Sequence, residues 1–406
     1  MELKLSVLPL SLFVIITKAD MRPRVLPFYS QEIKEDLAIA ILAGGGVLMN
    51  KPNKNEVVKS DGRGVPSAKW LDQDREITRS IWLQEAFPEW GTFLNQQINA
   101  TVVEPKTVVL WWFGGASFGL KTPKSFFLID NYAGPSDYTT YDHCGVCRTS
   151  GAPSLEWLRL HPQVVDPWAF EQIDAVLCTH HHQDHCDIYS IKAALQATKA
   201  LFIGPEVTCR KFRAFGVPEE RIRQVKPGDT IKFQDVELAI VPNYDRMACL
   251  TGEEVQDGKL DYGKYAVSFL FKTDAGGIIH LGDTLYHNGY RAIGENHQVD
   301  LCLTNMGHNA PGVTDKLNPY EVYRIAEALK AEVVIPYHYD NWASSALDPQ
   351  QLEMVVKANR SKLKVVILKH GAKFVFPKDN DIGHYQYPDL RERFSPEKSW
   401  EYGNKS

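Results

Sequence analysis

The strongest constraint on the fold lies at residues 173–185. The apolar run Ile173 to Thr179 has the length of a strand, and its unbroken character is that of a strand buried on both faces. It ends directly on His180-His181-His182-Gln183-Asp184-His185, where four of the chain's 13 histidines sit together. A strand end followed by a loop turns His180 and His182 toward one point, and Asp184 and His185 toward a second. Neutral imidazoles with a carboxylate suit zinc, manganese or iron. The competing reading is a solvated histidine-rich turn, and residues further along the chain weigh against it.

The surrounding sequence alternates strands and helices. Val108 to Phe113 and Phe126 to Asp130 are apolar runs of strand length, separated by Gly and Pro. After the histidines, Ile188, Ile191 and Leu195 follow helical spacing. A strand at Leu201 to Ile203 comes next, then a helix stopping at Gly216. From Thr230 the pattern alternates, with a hairpin turning near Gln234-Asp235. Tyr265 to Lys272 and Ile278 to Leu281 pair across Asp274-Ala-Gly-Gly277. Asn318-Pro319 supplies an N-cap and first helical residue, opening a helix that carries Val322, Ile325 and Leu329. Val333 to Pro336 is a strand leading to His338. Upstream, Ile77 to Ile98 reads as short helices broken at Phe87-Pro88. Two strand-rich halves, each with helices, predict two sheets packed together between helical layers.

Outside this body, residues 1–74 read as an N-terminal extension and 391–406 as a tail, which leaves 75–390 as the folded domain. The apolar run Ser6 to Ile16 is too short to span a bilayer, its n-region carries both charge signs, and Met21 is an alternative start. Seven scattered cysteines fit reduced thiols and a cytoplasmic setting better than a disulfide framework. His143 with Cys144 and Cys147 lacks the second ligand pair of a structural zinc site. A net charge of −5 gives no overall attraction to nucleic acid or anionic membrane.

Three further motifs give the histidine cluster its context. Leu281-Gly-Asp283-Thr284 places a carboxylate at a strand end, and Ile335-Pro-Tyr-His338 places an imidazole at another. With H-x-H-x-D-H they resemble the metallo-β-lactamase superfamily, which implies an αββα sandwich. The resemblance assigns His180, His182, Asp184, His185, Asp283 and His338 to a metal site, with Asp283 bridging. Val241-Pro-Asn-Tyr-Asp245-Arg246 stands where the superfamily has a further histidine. Asp245 is therefore either a substitute ligand or a partner of Arg246. A narrower resemblance, to the L-ascorbate-6-phosphate lactonase family, rests on Phe87-Pro-Glu-Trp-Gly91, Trp111-Trp-Phe-Gly114, Asp166-Pro-Trp-Ala-Phe170, Tyr244-Asp-Arg246, Gly312-Val-Thr-Asp-Lys316 and Gly371-Ala-Lys-Phe374. Where the wider group has Gly-His-Ala, this chain has Gly114-Gly115-Ala116.

The narrower resemblance implies a cytoplasmic hydrolase with one or two divalent ions, Mn²⁺ or Zn²⁺, acting on a phosphorylated sugar lactone. Homo-oligomers remain open. Asp184 and Asp283 are the candidate catalytic carboxylates; Asp184 either orients the nucleophile, takes its proton, or ligates. A phosphate needs cations, and Arg246, Lys316 and Arg148 lie near the motifs. Tyr337, Tyr339 and Trp342 flank His338 as pocket wall or as core. A phosphodiesterase of the same superfamily and a catalytically impaired binding protein are the alternative readings.

Overall fold

The computed structural model describes residues 76–86, 88–134, 159–252, 261–309 and 314–388. The N-terminal extension, the tail 391–406, the His143–Cys147 stretch and Arg148 lie outside the described residues.

Two seven-stranded sheets form the body. The first runs β14 (Lys373–Phe376), β1 (Val108–Gly114), β2 (Ser117–Lys121), β3 (Phe126–Ile129), β4 (Ala175–Leu177), β5 (Leu201–Gly204), β6 (Ile222–Gln224). The second runs β13 (Lys364–Val365), β12 (Val333–Tyr337), β11 (Leu301–Asn305), β10 (Gly276–His280), β9 (Val267–Thr273), β8 (Glu237–Pro242), β7 (Thr230–Lys232). Each sheet is antiparallel along four neighbouring strands and parallel beyond: β14 to β3 and then β3 to β6 in the first, β7 to β10 and then β10 to β13 in the second. The two halves thus repeat one pairing pattern, although the edge strand β14 of the first sheet follows all the others in the chain whereas β7 directly precedes its neighbour β8.

Side-chain parity explains the layering. On β1, Leu110 and Trp112 join Phe118, Leu120, Phe127 and Leu177 in one core with Leu238, Phe269 and Ile335 of the second sheet. Their neighbours Val109, Trp111 and Phe113 face the other way, into a core with Trp82, Leu94, Ile191 and Phe212. Alternation along a strand makes β1 apolar on both faces, because helices cover the side away from the second sheet. Those helices are α1 (Arg79–Glu85), α2 (Phe93–Ala100), α3 (Ile188–Ala197) and α4 (Glu206–Ala214). Two short helices, α5 (Arg246–Gly252) and α6 (Tyr262–Tyr265), follow β8, and α7 (Gly289–Asn296) follows β10. The second sheet carries α8 (Pro319–Leu329) against β11 and β12, with α9 (Gln350–Ala358) packed on α8. Asn318 caps α8 in a full capping box with Glu321. Among the described residues, no helix is long and apolar enough to cross a membrane.

The structure departs from the sequence reading in three places. The run Ile173–Thr179 contributes only Ala175–Leu177 to the ladder, because the Thr179 N–H turns to the Asp130 carboxylate (2.7 Å) and the chain peels away. Tyr265 ends a helical turn, so its strand starts at Val267. Strands β2, β6, β11, β13 and β14 escaped the pattern reading. β2 has Gly119 at its centre, packed where a Cβ would lie 3.0 Å from Phe113, and β6 is a three-residue piece with two of its residues exposed.

Candidate metal centre

Every sequence-predicted ligand follows the C-terminal end of a strand. β4 leads to His180–His185, β8 to Asp245, β10 to Asp283 and β12 to His338. The two sheets bring these ends together in two groups. His180, His182 and Asp283 offer donor atoms within 4.8 Å of one another, and so do Asp184, His185 and His338. All are buried. Asp283 lies between the groups, with Oδ1 3.4 Å from His338 Nε2 and Oδ2 3.4 Å from His185 Nε2. His338 Nε2 and His185 Nε2 stand 3.3 Å apart.

A residue that the sequence placed only at a strand end holds the imidazoles. Asp130 follows β3, and the parallel pairing of β3 with β4 brings it beside Thr179. Its Oδ1 accepts from Thr179 N, and its Oδ2 accepts from Thr179 Oγ1 (2.6 Å) and His185 Nδ1 (2.8 Å). Because Thr179 Oγ1 donates to Asp130, it accepts from His180 Nδ1 (3.1 Å). One carboxylate therefore fixes both tautomers, leaving each Nε2 as the lone-pair nitrogen facing the site. His182 is set differently: Thr251 Oγ1 donates to Met247 O and accepts from His182 Nε2 (2.7 Å), so Nδ1 carries the lone pair. Two of these turns are conformationally unusual, with φ of 44° at Asp130 and 71° at His338, a backbone region that non-glycine residues seldom occupy outside functional or tightly determined sites.

The electrostatics match a cation site. Burial, reinforced by neighbouring histidines, holds His180 well below the ordinary imidazole range, and burial pushes His182 down to about 3. Burial would lower His185 too, but Asp184, Asp283 and Asp130 outweigh it and raise it well above. Asp184 moves the opposite way: burial opposes its charge, yet His185 and His338 keep it well below the carboxylate range. Three buried atoms, His180 Nε2, Asp245 Oδ2 and Asp283 Oδ1, have no hydrogen-bond partner among the described residues. His180 Nε2 and Asp245 Oδ2 are 3.7 Å apart. Buried polar atoms left unpartnered are costly, and an ion between them would satisfy all three. The donor set is nitrogen and oxygen without sulfur, the chemistry of Zn²⁺, Mn²⁺ or Fe²⁺.

The remaining candidates fall in distinct places. Asp245 is fully buried, its carboxyl raised by burial and by Asp283, and its backbone turn is tied by Asn243. Its neighbour Arg246 is exposed at the start of α5, with no ion pair or hydrogen bond among the described residues. Lys316 is buried, its Nζ 2.5 Å from Asp283 Oδ2 and 3.2 Å from Asp315 Oδ1. Tyr337 is core, donating to Gly282 O and stacked on His280. Tyr339 packs on Trp112 and Trp342 on Tyr132, both nearly buried. Asn341, two residues beyond Tyr339, donates from Nδ2 to Asp184 Oδ2 (2.8 Å) and was not anticipated.

Comparison with known proteins agrees with this geometry. Residues 150–339 match the model of the "Beta-lactamase superfamily domain". A relative from Escherichia fergusonii, a "Probable L-ascorbate-6-phosphate lactonase UlaG", is 37% identical over 335 residues, covering 78% of this chain and 95% of the relative. A relative of the same name from Escherichia coli is 37% identical over 336 residues, with the same coverage. The chain belongs to the L-ascorbate-6-phosphate lactonase family. Membership in that family, within the metallo-β-lactamase superfamily, makes it a hydrolase whose buried histidines and aspartates can hold divalent ions. Among solved structures, the isothiocyanate hydrolase from Delia radicum gut bacteria is 17% identical with a TM-score of 0.49, covering 66% of this chain and 98% of that one.

Proposed function

We propose that this chain opens the lactone ring of L-ascorbate 6-phosphate by hydrolysis, giving 3-keto-L-gulonate 6-phosphate, and that it does so in the cytoplasm. The family supplies the substrate class. The observation that supports the reaction class is the position of Asp283 between two buried groups, each offering three donors.

His180, His182 and Asp283, with Asp245 beside them, would hold one Mn²⁺ or Zn²⁺; Asp184, His185 and His338, sharing Asp283, would hold a second. Bound divalent cations supply Lewis acidity, which polarises an ester carbonyl and acidifies water. The chain's own residues do the rest. Asp184, held as a carboxylate by His185 and His338, takes up the proton released when water adds to the lactone carbonyl. Lys316, charged and buried beside Asp283, supports the negative charge that collects on the ring oxygen as it leaves. The exposed guanidinium of Arg246 anchors the 6-phosphate by charge-assisted hydrogen bonds, so that binding energy remote from the carbonyl orients the ring.

A hydrolysis screen of metal-loaded protein tests this reading. Rapid turnover of L-ascorbate 6-phosphate, weak turnover of unphosphorylated ascorbate and none of bis(p-nitrophenyl) phosphate is the expected result. Arg246→Ala should lower the preference for the phosphorylated lactone by roughly 10-fold or more, in line with loss of a hydrogen bond to a charged group. Cleavage of the phosphodiester with the lactone untouched would overturn the assignment.

A further inference from the structure

Behind the second ligand group lies a buried polar chain that neither the ligand set nor the substrate contacts explain. Asn341 sits on the loop after β12, three residues past His338, and is 1% exposed. Its Nδ2 donates to Asp184 Oδ2 (2.8 Å), while its Oδ1 lies 3.0 Å from Nε2 of His161. The direction of this chain is determined by chemistry. A carboxylate only accepts, so the amide must present its NH₂ to Asp184 and its oxygen to His161. His161 must therefore donate from Nε2. Burial pushes His161 down to about 3, so it carries a single proton at neutral pH, and the geometry places that proton toward Asn341. The other ring nitrogen, 3.3 Å from Pro162 O, has the longer contact.

The fold is built to hold this pair. The backbone of the His161 segment is pinned to the Asn341 segment: Leu160 N donates to Asn341 O (3.0 Å), and Arg159 bridges to Trp342. Arg159 is itself anchored on Gly134 O (2.6 Å). Room for the imidazole comes from the turn after β1. A Cβ on Gly114 would lie 2.4 Å from the His161 ring, and one on Gly115 would lie 3.0 Å from Asn341 Oδ1. Both glycines have positive φ, 102° and 53°. Two adjacent glycines thus clear the space in which a histidine from a distant loop meets the asparagine.

We infer that His161 and Asn341 are positioning residues for Asp184: His161 fixes the amide, and the amide fixes the carboxylate. The inference rests on the proposed function, since it gives Asp184 its orientation in that reaction. The oxygen that Asn341 holds, Oδ2, also lies 3.2 Å from His338 Nε2 and 3.6 Å from His185 Nε2, so the amide sets the angle at which the carboxylate faces the second group. Neither positioning residue touches substrate. Their effect is on the rate of the chemical step and on the environment of a bound ion, because outer partners of this kind set the orientation of the residues they hold.

The test uses full-length protein and four variants, Asn341→Ala, Asn341→Asp, His161→Ala and His161→Gln. The readouts are kcat and KM on L-ascorbate 6-phosphate, and the visible spectrum of protein reconstituted with Co²⁺ alone. Asn341→Ala should lower kcat about 10- to 100-fold, the usual range for an outer partner, with KM changed less than about 2-fold because the phosphate anchor is untouched. Asn341→Asp, which sets a second carboxylate against Asp184, should fall further. His161→Gln can still donate to Asn341 Oδ1 and should retain activity and spectrum that His161→Ala loses. The Co²⁺ bands should shift in Asn341→Ala and His161→Ala. Should the Asn341 variants fail to fold, the Gln and Ala pair at His161 carries the test alone. Wild-type-like kcat and spectrum in His161→Ala, or equal losses in the Gln and Ala variants, overturns the inference. An inactive wild-type protein with intact Co²⁺ bands overturns the proposed reaction instead.

Discussion

The two ligand groups are built from the same residue types but are supported in different ways. In the first, the carboxylate of Asp283 already faces a buried cation, Lys316 at 2.5 Å. In the second, the carboxylate of Asp184 faces a neutral amide, Asn341 at 2.8 Å. Asp130 and Thr179 serve both, fixing His180 for one and His185 for the other. Apart from His182, which Thr251 holds, the difference lies at the carboxylates. A lysine beside Asp283 answers part of its charge before any metal arrives, which weakens the attraction for an ion there. An amide orients Asp184 without adding charge; the countercharge there, before any metal arrives, is the proton on His185, whose Nε2 lies 3.6 Å from Asp184 Oδ2. That proton leaves when an ion binds whereas Lys316 stays, so once His185 is deprotonated the second group should bind its ion more tightly, and the first should exchange more readily.

Removing the shared carboxylate should have the largest effect. Asp283→Asn is expected to abolish binding of a second ion and lower kcat by a factor on the order of 10³, since an amide cannot neutralise two cations. Metal content by mass spectrometry beside steady-state rates checks this, and two ions retained per chain would remove Asp283 from its bridging position. Next comes Lys316→Met, which leaves Asp283 and Asp315 buried without their cation. The metal-free protein should lose about 3–5 kcal/mol of stability, seen in urea melts, and metal should restore most of it. Its affinity at the first group should rise, in contrast to every other variant considered. A fall in that affinity would reverse the contrast between the groups.

Most of the ligand set was legible because it is local: H-x-H-x-D-H occupies one loop, and Asp283 and His338 end strands whose apolar runs are plain. The supporting residues were not legible, for a physical reason. Asp130 reaches Thr179 only because β3 and β4 pair in parallel, and they are separated by 45 residues of sequence with no pattern that announces the pairing. Asn341 and His161 meet through a bridge between two loops, and Gly114-Gly115 reads as a mere strand end until the imidazole filling its space is seen. The sandwich was readable from the alternation of strands and helices. Strand β11 was not read, because it lies between the motifs and bears none of them.

The shared support offers a smaller test. Asp130→Asn should lower metal affinity and kcat by about 10- to 100-fold, and at both groups, because His180 and His185 both lose their tautomer control. An effect restricted to one group would show that Thr179 alone suffices for the other. The smallest effect concerns protons. His180 and His182 sit below the ordinary imidazole range, so the first group needs no imidazole deprotonated at neutral pH. His185 is raised above it, so without metal it carries a proton that must leave when the second ion binds. Lowering the pH below the His185 value favours that proton, and affinity at the second group should fall by about tenfold per pH unit. At the first group, the imidazoles impose no such fall until far more acidic pH. Calorimetric titration in buffers of different ionisation enthalpy follows this, and binding of the second ion with no proton release would contradict the assignment.

The account is tested most directly by anomalous diffraction from crystals of the full chain loaded with Mn²⁺. It predicts two peaks per chain, one among His180, His182, Asp245 and Asp283, the other among Asp184, His185, His338 and Asp283. The second should persist at the lower metal concentration. A single peak elsewhere, or two peaks that leave Asp283 on Lys316 alone, would contradict it.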